Sequence, residues 1–466
     1  MARLTFLGAV GEVTGSRYLI DTRQSRILLE CGMHQGGSSA DRANRRSLRR
    51  LAGRLDAVVL SHGHLDHSGL LPKLVRDGFD GPIYCTNGTH ELLAIMLHDA
   101  ASVMARDLER ENRRRQRADR KLLEPVYTAE DVEATLTQCR PLPYGTLEDI
   151  DADVRIRFHD AGHILGAAII ELITRDGDRE RRLVFSGDLG NADSVLMNDP
   201  VRLQEADTVL LESTYGDRDH RPMDDTIEEL AGILEEAGRE GGNVLIPAFA
   251  VGRTQEVLYH LSVLHAAGRL PQEKVFLDSP MAIEVTQLYD RRRDLLDSED
   301  LDDMGGESGG VLERALPQLR FSRDVEDSRA INRVEGGAII IAGSGMCTGG
   351  RIRHHFKYNL GQRRNQVVIV GFQARGTLGR ILVDGVRRVK LFGEQIAVKA
   401  QIHTLGGFSA HAGQSQLLDW ASSFRGRPDF YLVHGEPEAS DALAEALAAG
   451  PGIQARCAEF KQTIDL

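Results

Sequence analysis

Cysteine is scarce in this chain of 466 residues: there are 5, namely Cys31, Cys85, Cys139, Cys347 and Cys457, with no C-x-x-C pair among them. Such spacing suggests neither a disulfide framework nor a thiolate zinc site, so the expectation is reduced, buried thiols. Long apolar runs are missing too. No stretch approaches the roughly 18 consecutive apolar residues of a membrane span, and the N-terminal MARLTFLGAV lacks the basic region and apolar core of a secretory signal. A cytoplasmic protein with no membrane contact is expected. Basic charge is also in deficit, since 57 Lys and Arg against 69 Asp and Glu give a formal net charge of −12. That balance argues against broad, sequence-independent binding of a polyanion, while leaving room for a local basic groove. No repeat or low-complexity tract interrupts the chain.

What is present reads as a loop-rich α/β protein of about two domains: 41% hydrophobic and 27% charged residues, with 48 glycines to serve tight connections. Short aliphatic and β-branched runs at 3–7, 16–21, 26–32 and 57–61 look like consecutive strands, followed by helical apolar spacing over 70–78 and 88–111. More strands are expected at 154–163, 167–173 and 182–188. From about residue 207 the pattern becomes strict strand–helix alternation, with near-continuous apolar strands that imply a parallel sheet covered on both faces. The tail, with QIHTLGG (401–407) and FYLVHG (430–435), returns to the first style. The expected organisation is a first domain built from 1–206 and 391–466, with a second domain, 207–390, inserted into it. The charged stretch 106–121 reads as a solvated helical lid or hinge.

Residues 62–67 are HGHLDH, placed where the run AVVL ends. Neutral imidazole is the commonest biological zinc ligand, and a turn after a strand lets His62 and His64 point one way and Asp66 and His67 another, so that one hexapeptide serves two adjacent metals. His163, Asp188 and His434 occupy comparable positions, each at or just past a strand end and beside Gly. A carboxylate such as Asp188 can bridge two divalent ions, which together activate water and polarise a phosphoryl or carbonyl group.

These motifs resemble the metallo-β-lactamase fold, and STYGDR (213–218) after Glu212, PAFAVGRTQE (247–256), LDSPMA (277–282), GSGMCTGGR (343–351) and GGFSAHA (406–412) are similar to its β-CASP branch. The resemblance implies an αββα sandwich with an inserted parallel α/β domain. It further implies two Zn2+ ions, one held by His62, His64 and His163, the other by Asp66, His67 and His434, with Asp188 bridging. His411, oriented by Glu212, would then be the general acid, with Asp66 also in the catalytic group. Glu30 stands where the fold usually carries an Asp that supports the metal loop from behind.

A Gly-rich turn between a strand and a helix brings backbone N–H groups toward a phosphate. Ser344 and Gly345 in that turn, with Arg253, Arg351, Arg375 and His403, are the expected substrate contacts. The leading expectation is a zinc-dependent endoribonuclease, with 5′ exonuclease activity open, acting on single-stranded RNA in a cleft between the domains. The competing expectation is a metallo-hydrolase of small esters, thioesters or cyclic phosphodiesters, which suits the acidic charge better but has no use for the insertion. A non-catalytic RNA-binding relative is disfavoured because no ligand is missing. A homodimer is left open and no protein partner is indicated.

Overall fold

The computed structural model describes residues 2–176, 179–192, 194–303, 311–374 and 376–466. The chain forms two compact units. One comprises the chain up to Ala192, then Asp199–Asp219 and His411–Leu466; the other comprises His220–Ala410 and the segment ending at Asn198.

The first unit is built on two sheets of seven strands. In one the order is Thr463–Asp465, Arg3–Gly8, Arg17–Asp21, Arg26–Leu29, Ala57–Val59, Ile83–Thr86 and Cys139–Leu142. In the other it is Ala455–Cys457, Asp429–Val433, Thr208–Glu212, Arg179–Phe185, Ala168–Asp176, Val154–Asp160 and Leu147–Asp149. Successive strand residues point to opposite faces, and the sequence uses both. Leu4, Phe6, Tyr18, Ile27 and Leu29 meet Ile156, Phe158, Ile170, Leu183 and Phe185 in one core between the sheets. Leu28, Val58, Leu60 and Ile83 instead pack outward with Leu71, Leu74, Leu93, Leu97 and Val132 of the covering helices. Helix Pro437–Ala449 covers strands Asp429–Val433 and Ala455–Cys457 on the second sheet. The result is the αββα sandwich.

Arg26–Leu29, Ala57–Val59 and Ile83–Thr86 are mutually parallel neighbours, as are Arg179–Phe185, Thr208–Glu212 and Asp429–Val433. Parallel strands deliver their carboxyl ends to a common edge, where α/β proteins gather functional loops.

The second unit has a six-stranded sheet in the order Leu319–Phe321, Lys274–Leu277, Ala338–Ala342, Val244–Pro247, Gln366–Ile369 and Gln401–Thr404, all pairs parallel. Ile246, Leu277 and Ile341 pack on one face with Leu230, Leu234, Leu258 and Leu261, whereas Leu245, Val367 and Ile369 pack on the other with Ile352, Phe356 and Leu360. Both faces are therefore apolar, which is why these strands read as continuous hydrophobic runs.

Two strands fall in different units from the ones their sequence style suggests. Thr208–Glu212 is buried at every position and joins the sandwich between Arg179–Phe185 and Asp429–Val433. Gln401–Thr404 closes the parallel sheet of the second unit beside Gln366–Ile369. Among the described residues, no helix is long and apolar enough to cross a membrane.

Candidate metal centre

Strand Ala57–Val59 is fully buried, and after Leu60 the chain leaves the sheet as an extended loop before helix Leu65–Ser68 begins. His62 and His64 thus sit on the loop, and Asp66 and His67 on the first turn of the helix. Ligand atoms of His62, His64, His163 and Asp188 all lie within 4.8 Å of one another, and so do those of Asp66, His67 and His434. His62 Nε2 and His163 Nε2 are each 3.2 Å from His64 Nδ1. Asp188 Oδ2 faces this first group, 3.5 Å from His62 and 3.7 Å from His163. Its Oδ1 faces the second, 3.4 Å from both His67 Nε2 and His434 Nδ1.

The surrounding hydrogen bonds set the tautomers. Buried Glu30 accepts the Ser61 N–H at 2.6 Å and the Ser61 hydroxyl at 3.0 Å, and its Oε2 lies 2.5 Å from His67 Nδ1. His62 Nδ1 is 2.9 Å from the same Ser61 hydroxyl. Thr214 donates its hydroxyl to the His434 carbonyl and stands 3.2 Å from His434 Nδ1. With each Nδ1–H directed at an oxygen, each Nε2 presents a lone pair. His67 Nε2 and His434 Nε2 then confront one another at 3.1 Å, an arrangement that needs a cation or a proton between them. Asp188 Oδ1 is buried and accepts no hydrogen bond. An all-nitrogen and oxygen donor set of this kind fits zinc and similar divalent ions.

The local electrostatics point the same way. Burial, reinforced by neighbouring imidazoles, holds His62 well below the usual histidine range. Burial opposes the charge on Asp66, but the His434 and His67 imidazoles outweigh it and bring its pKa to about 2. Asp188 is likewise held well below the carboxylate range by His434, His67 and His62 despite its burial.

His411 joins this edge through the backbone: it pairs with Gly190, and the Ala412 N–H donates to the Leu189 carbonyl at 2.9 Å. Its Nδ1 lies 3.4 Å from Glu212 Oε1 and 4.0 Å from Asp188 Oδ2. Glu212 is itself fixed by the Leu189 N–H at 2.7 Å. Burial disfavours the His411 imidazolium, but Glu212 and then Asp188 push its pKa up to about 9.

The expected metal ligands, His411 and Glu212 are therefore brought together. The expected substrate contacts among the described residues lie in the second unit, and several are engaged within it. Arg253 pairs with Glu256 at 2.6 Å and is 8% exposed. Arg351 binds Asp278 at 2.6 Å and the carbonyls of Ser322 and Arg323. His403 Nε2 is 2.7 Å from Gln366 Oε1. Ser344 and Gly345 lie in the turn after Ala338–Ala342, where the N–H groups of Ser344, Cys347, Gly349 and Ile352 are bonded within the turn. Arg375 lies outside the described residues. Ser61 and Thr214, which orient His62 and His434, escape sequence reasoning. Their only signal is a hydroxyl next to a motif residue at the end of a buried strand.

Comparison with known proteins agrees with this geometry. Residues 10–247 match the metallo-beta-lactamase superfamily, 254–382 the Beta-Casp domain, and 395–458 the Zn-dependent metallo-hydrolase RNA specificity domain. The chain is 42% identical over 451 residues to "Ribonuclease TTHA0252" of Thermus thermophilus, covering 96% of each. It is 31% identical over 483 residues to "Transcription termination factor FttA" of Pyrococcus abyssi, covering 100% of this chain and 71% of that protein. A crystal structure of a protein of unknown function from Enterococcus faecalis V583 aligns over 100% of both chains with a TM-score of 0.55 at 13% identity, a likeness of fold.

Proposed function

The chain belongs to the β-CASP branch of the metallo-β-lactamase superfamily, a family of metal-dependent hydrolases, and we propose that it hydrolyses phosphodiester bonds of single-stranded RNA with two zinc ions. The observation that carries this reading is Asp188, whose two oxygens face two separate groups of donors while His411 and Glu212 stand beside it. His62, His64 and His163 would hold one ion, and Asp66, His67 and His434 the other. When bound, such a pair of ions activates water and stabilises charge on the phosphoryl oxygens.

The chain's own residues supply the rest. Ser61, Glu30 and Thr214 fix the imidazoles so that their lone pairs converge. Glu212 holds His411 by Nδ1, which leaves the proton at Nε2 to be given to the departing oxygen; positioned proton transfer of this kind contributes about 10²–10⁴ in rate. Phe249 and Phe372 follow adjacent strands of the parallel sheet in the second unit and are 41% and 58% exposed. Exposed rings suit the stacking of unpaired bases, which supports the reading of a single-stranded substrate.

The test compares end-labelled single-stranded RNA with a small generic phosphodiester, both offered to the zinc-loaded protein. Cleavage of RNA at internal positions is expected. Rapid turnover of the small ester with RNA untouched would replace this reading with that of a small-ester hydrolase.

A further inference from the structure

Two of the scattered cysteines meet. Cys85 is the third residue of strand Ile83–Thr86, and Cys139 opens the neighbouring parallel strand Cys139–Leu142, two positions away in register. Fifty-odd residues of helix and loop separate them in sequence, so no motif announces the pair. Their side chains emerge on the same face, toward the first turn of helix Asn87–Arg117, which carries His90. Ligand atoms of Cys85, His90 and Cys139 all lie within 4.8 Å of one another. Both cysteines are buried free thiols, and His90 Nδ1 is shielded from solvent.

We propose that Cys85, His90 and Cys139 form a second, separate metal site for a thiophilic cation of the Zn2+ class. Zinc with bonds of about 2.3 Å to sulfur and 2.0–2.1 Å to nitrogen places its ligands roughly 3.3–3.8 Å apart, so small side-chain rotations close the present spacing. Three protein donors leave a fourth position for water or another ligand. The hydrogen bond between the two thiols, and then burial, holds Cys85 well above the usual thiol range, while the same bond, with His90 adding to it, brings Cys139 down to about 6 although burial opposes this, so Cys139 is the sulfur that ionises first.

The site would clamp two strands to the start of a helix. That same corner holds the His163 loop, because the hydroxyls of Thr86 and Thr89 both donate to the Gly166 carbonyl, at 2.6 and 2.8 Å. The inference does not depend on the RNA reading, because the metal centre at Asp188 contains no sulfur.

Sulfur also makes it testable by itself. The metal-free full chain is titrated with Co2+ under reducing conditions. Cobalt bound by imidazole and carboxylate gives only weak visible bands, whereas thiolate ligation adds an intense near-ultraviolet charge-transfer band. That band is expected in the wild-type chain, with an amplitude of one thiolate-bound ion per chain once all sites are filled, and is expected to be lost in Cys139→Ser while the visible bands persist. Cys457→Ser, which removes the exposed cysteine, should leave it unchanged. Absence of the band in the wild-type chain, or its survival in Cys139→Ser, would overturn the proposal.

Discussion

Glu30 shows how much one side chain can do without touching a substrate. It lies fully buried at φ 64°, an uncommon conformation for a residue with a side chain, and its carboxylate binds Ser61 twice and His67 once. Replacement by Gln keeps the shape but removes the negative partner of the His67 ring. Partners of this kind are worth about 10–100-fold in metal affinity, so Glu30→Gln is expected to release zinc to a chelator at correspondingly lower concentration, with folding retained. Unchanged affinity would show that Glu30 does not orient the ring. At this scale the sequence was informative wherever a ligand type was rare: three histidines and an aspartate in six residues announce themselves. The hydroxyls of Ser61 and Thr214 do not, because Ser and Thr are common in every loop. The expectation of buried thiols also needs correction at Cys457, which is exposed.

At the scale of elements, the turn at 343–351 is held from below by a buried polar cluster. Asp278 accepts from Arg351, from the Ser328 hydroxyl at 2.6 Å and from His355 Nε2 at 2.6 Å. Burial opposes its charge, but His355, Ser328 and Arg351 outweigh burial and keep its pKa below the usual value. A depressed carboxyl pKa stabilises the fold fully above the unfolded value of about 3.9 and loses that contribution as pH falls through the folded value. Asp278→Asn is expected to cost about 3 kcal/mol near neutral pH, and the gap to wild type should narrow below about pH 4. Urea unfolding at the two pH values checks this; a gap independent of pH would contradict it. A second element-scale constraint is Gly190, where an added Cβ would sit 2.1 Å from the Gly162 carbonyl. Gly190→Ala should force apart the loops bearing Asp188 and His163, costing about 1–3 kcal/mol by overpacking and loosening metal binding with it. Strand positions were legible because buried strands are short and aliphatic. Their membership was not: Thr208–Glu212 and Gln401–Thr404 carry no mark of which sheet they complete, since pairing is decided by backbone partners far away in the chain.

For the whole molecule, the net charge of −12 sets a limit on how RNA is held. Arg253 and Arg351, two of the expected phosphate contacts, are bound to carboxylates of their own unit. RNA affinity is therefore expected to fall only gently with salt, with a log–log slope well short of the roughly −7 that neutralising ten phosphates of a single strand produces. Filter binding across a salt series checks this, and a steep slope would point to a basic surface built by assembly or by a partner. The αββα sandwich with its inserted parallel sheet was readable from hydrophobic pattern and motif together, and family membership follows from both. The central claim is that the centre around Asp188 cleaves RNA with His411 delivering the proton. It is tested most directly by measuring metal content and cleavage of end-labelled single-stranded RNA on the same preparations of wild type and His411→Ala. The account predicts equal metal content and cleavage slowed by about 10²-fold or more. Normal cleavage by the variant, or loss of its metal, would contradict it.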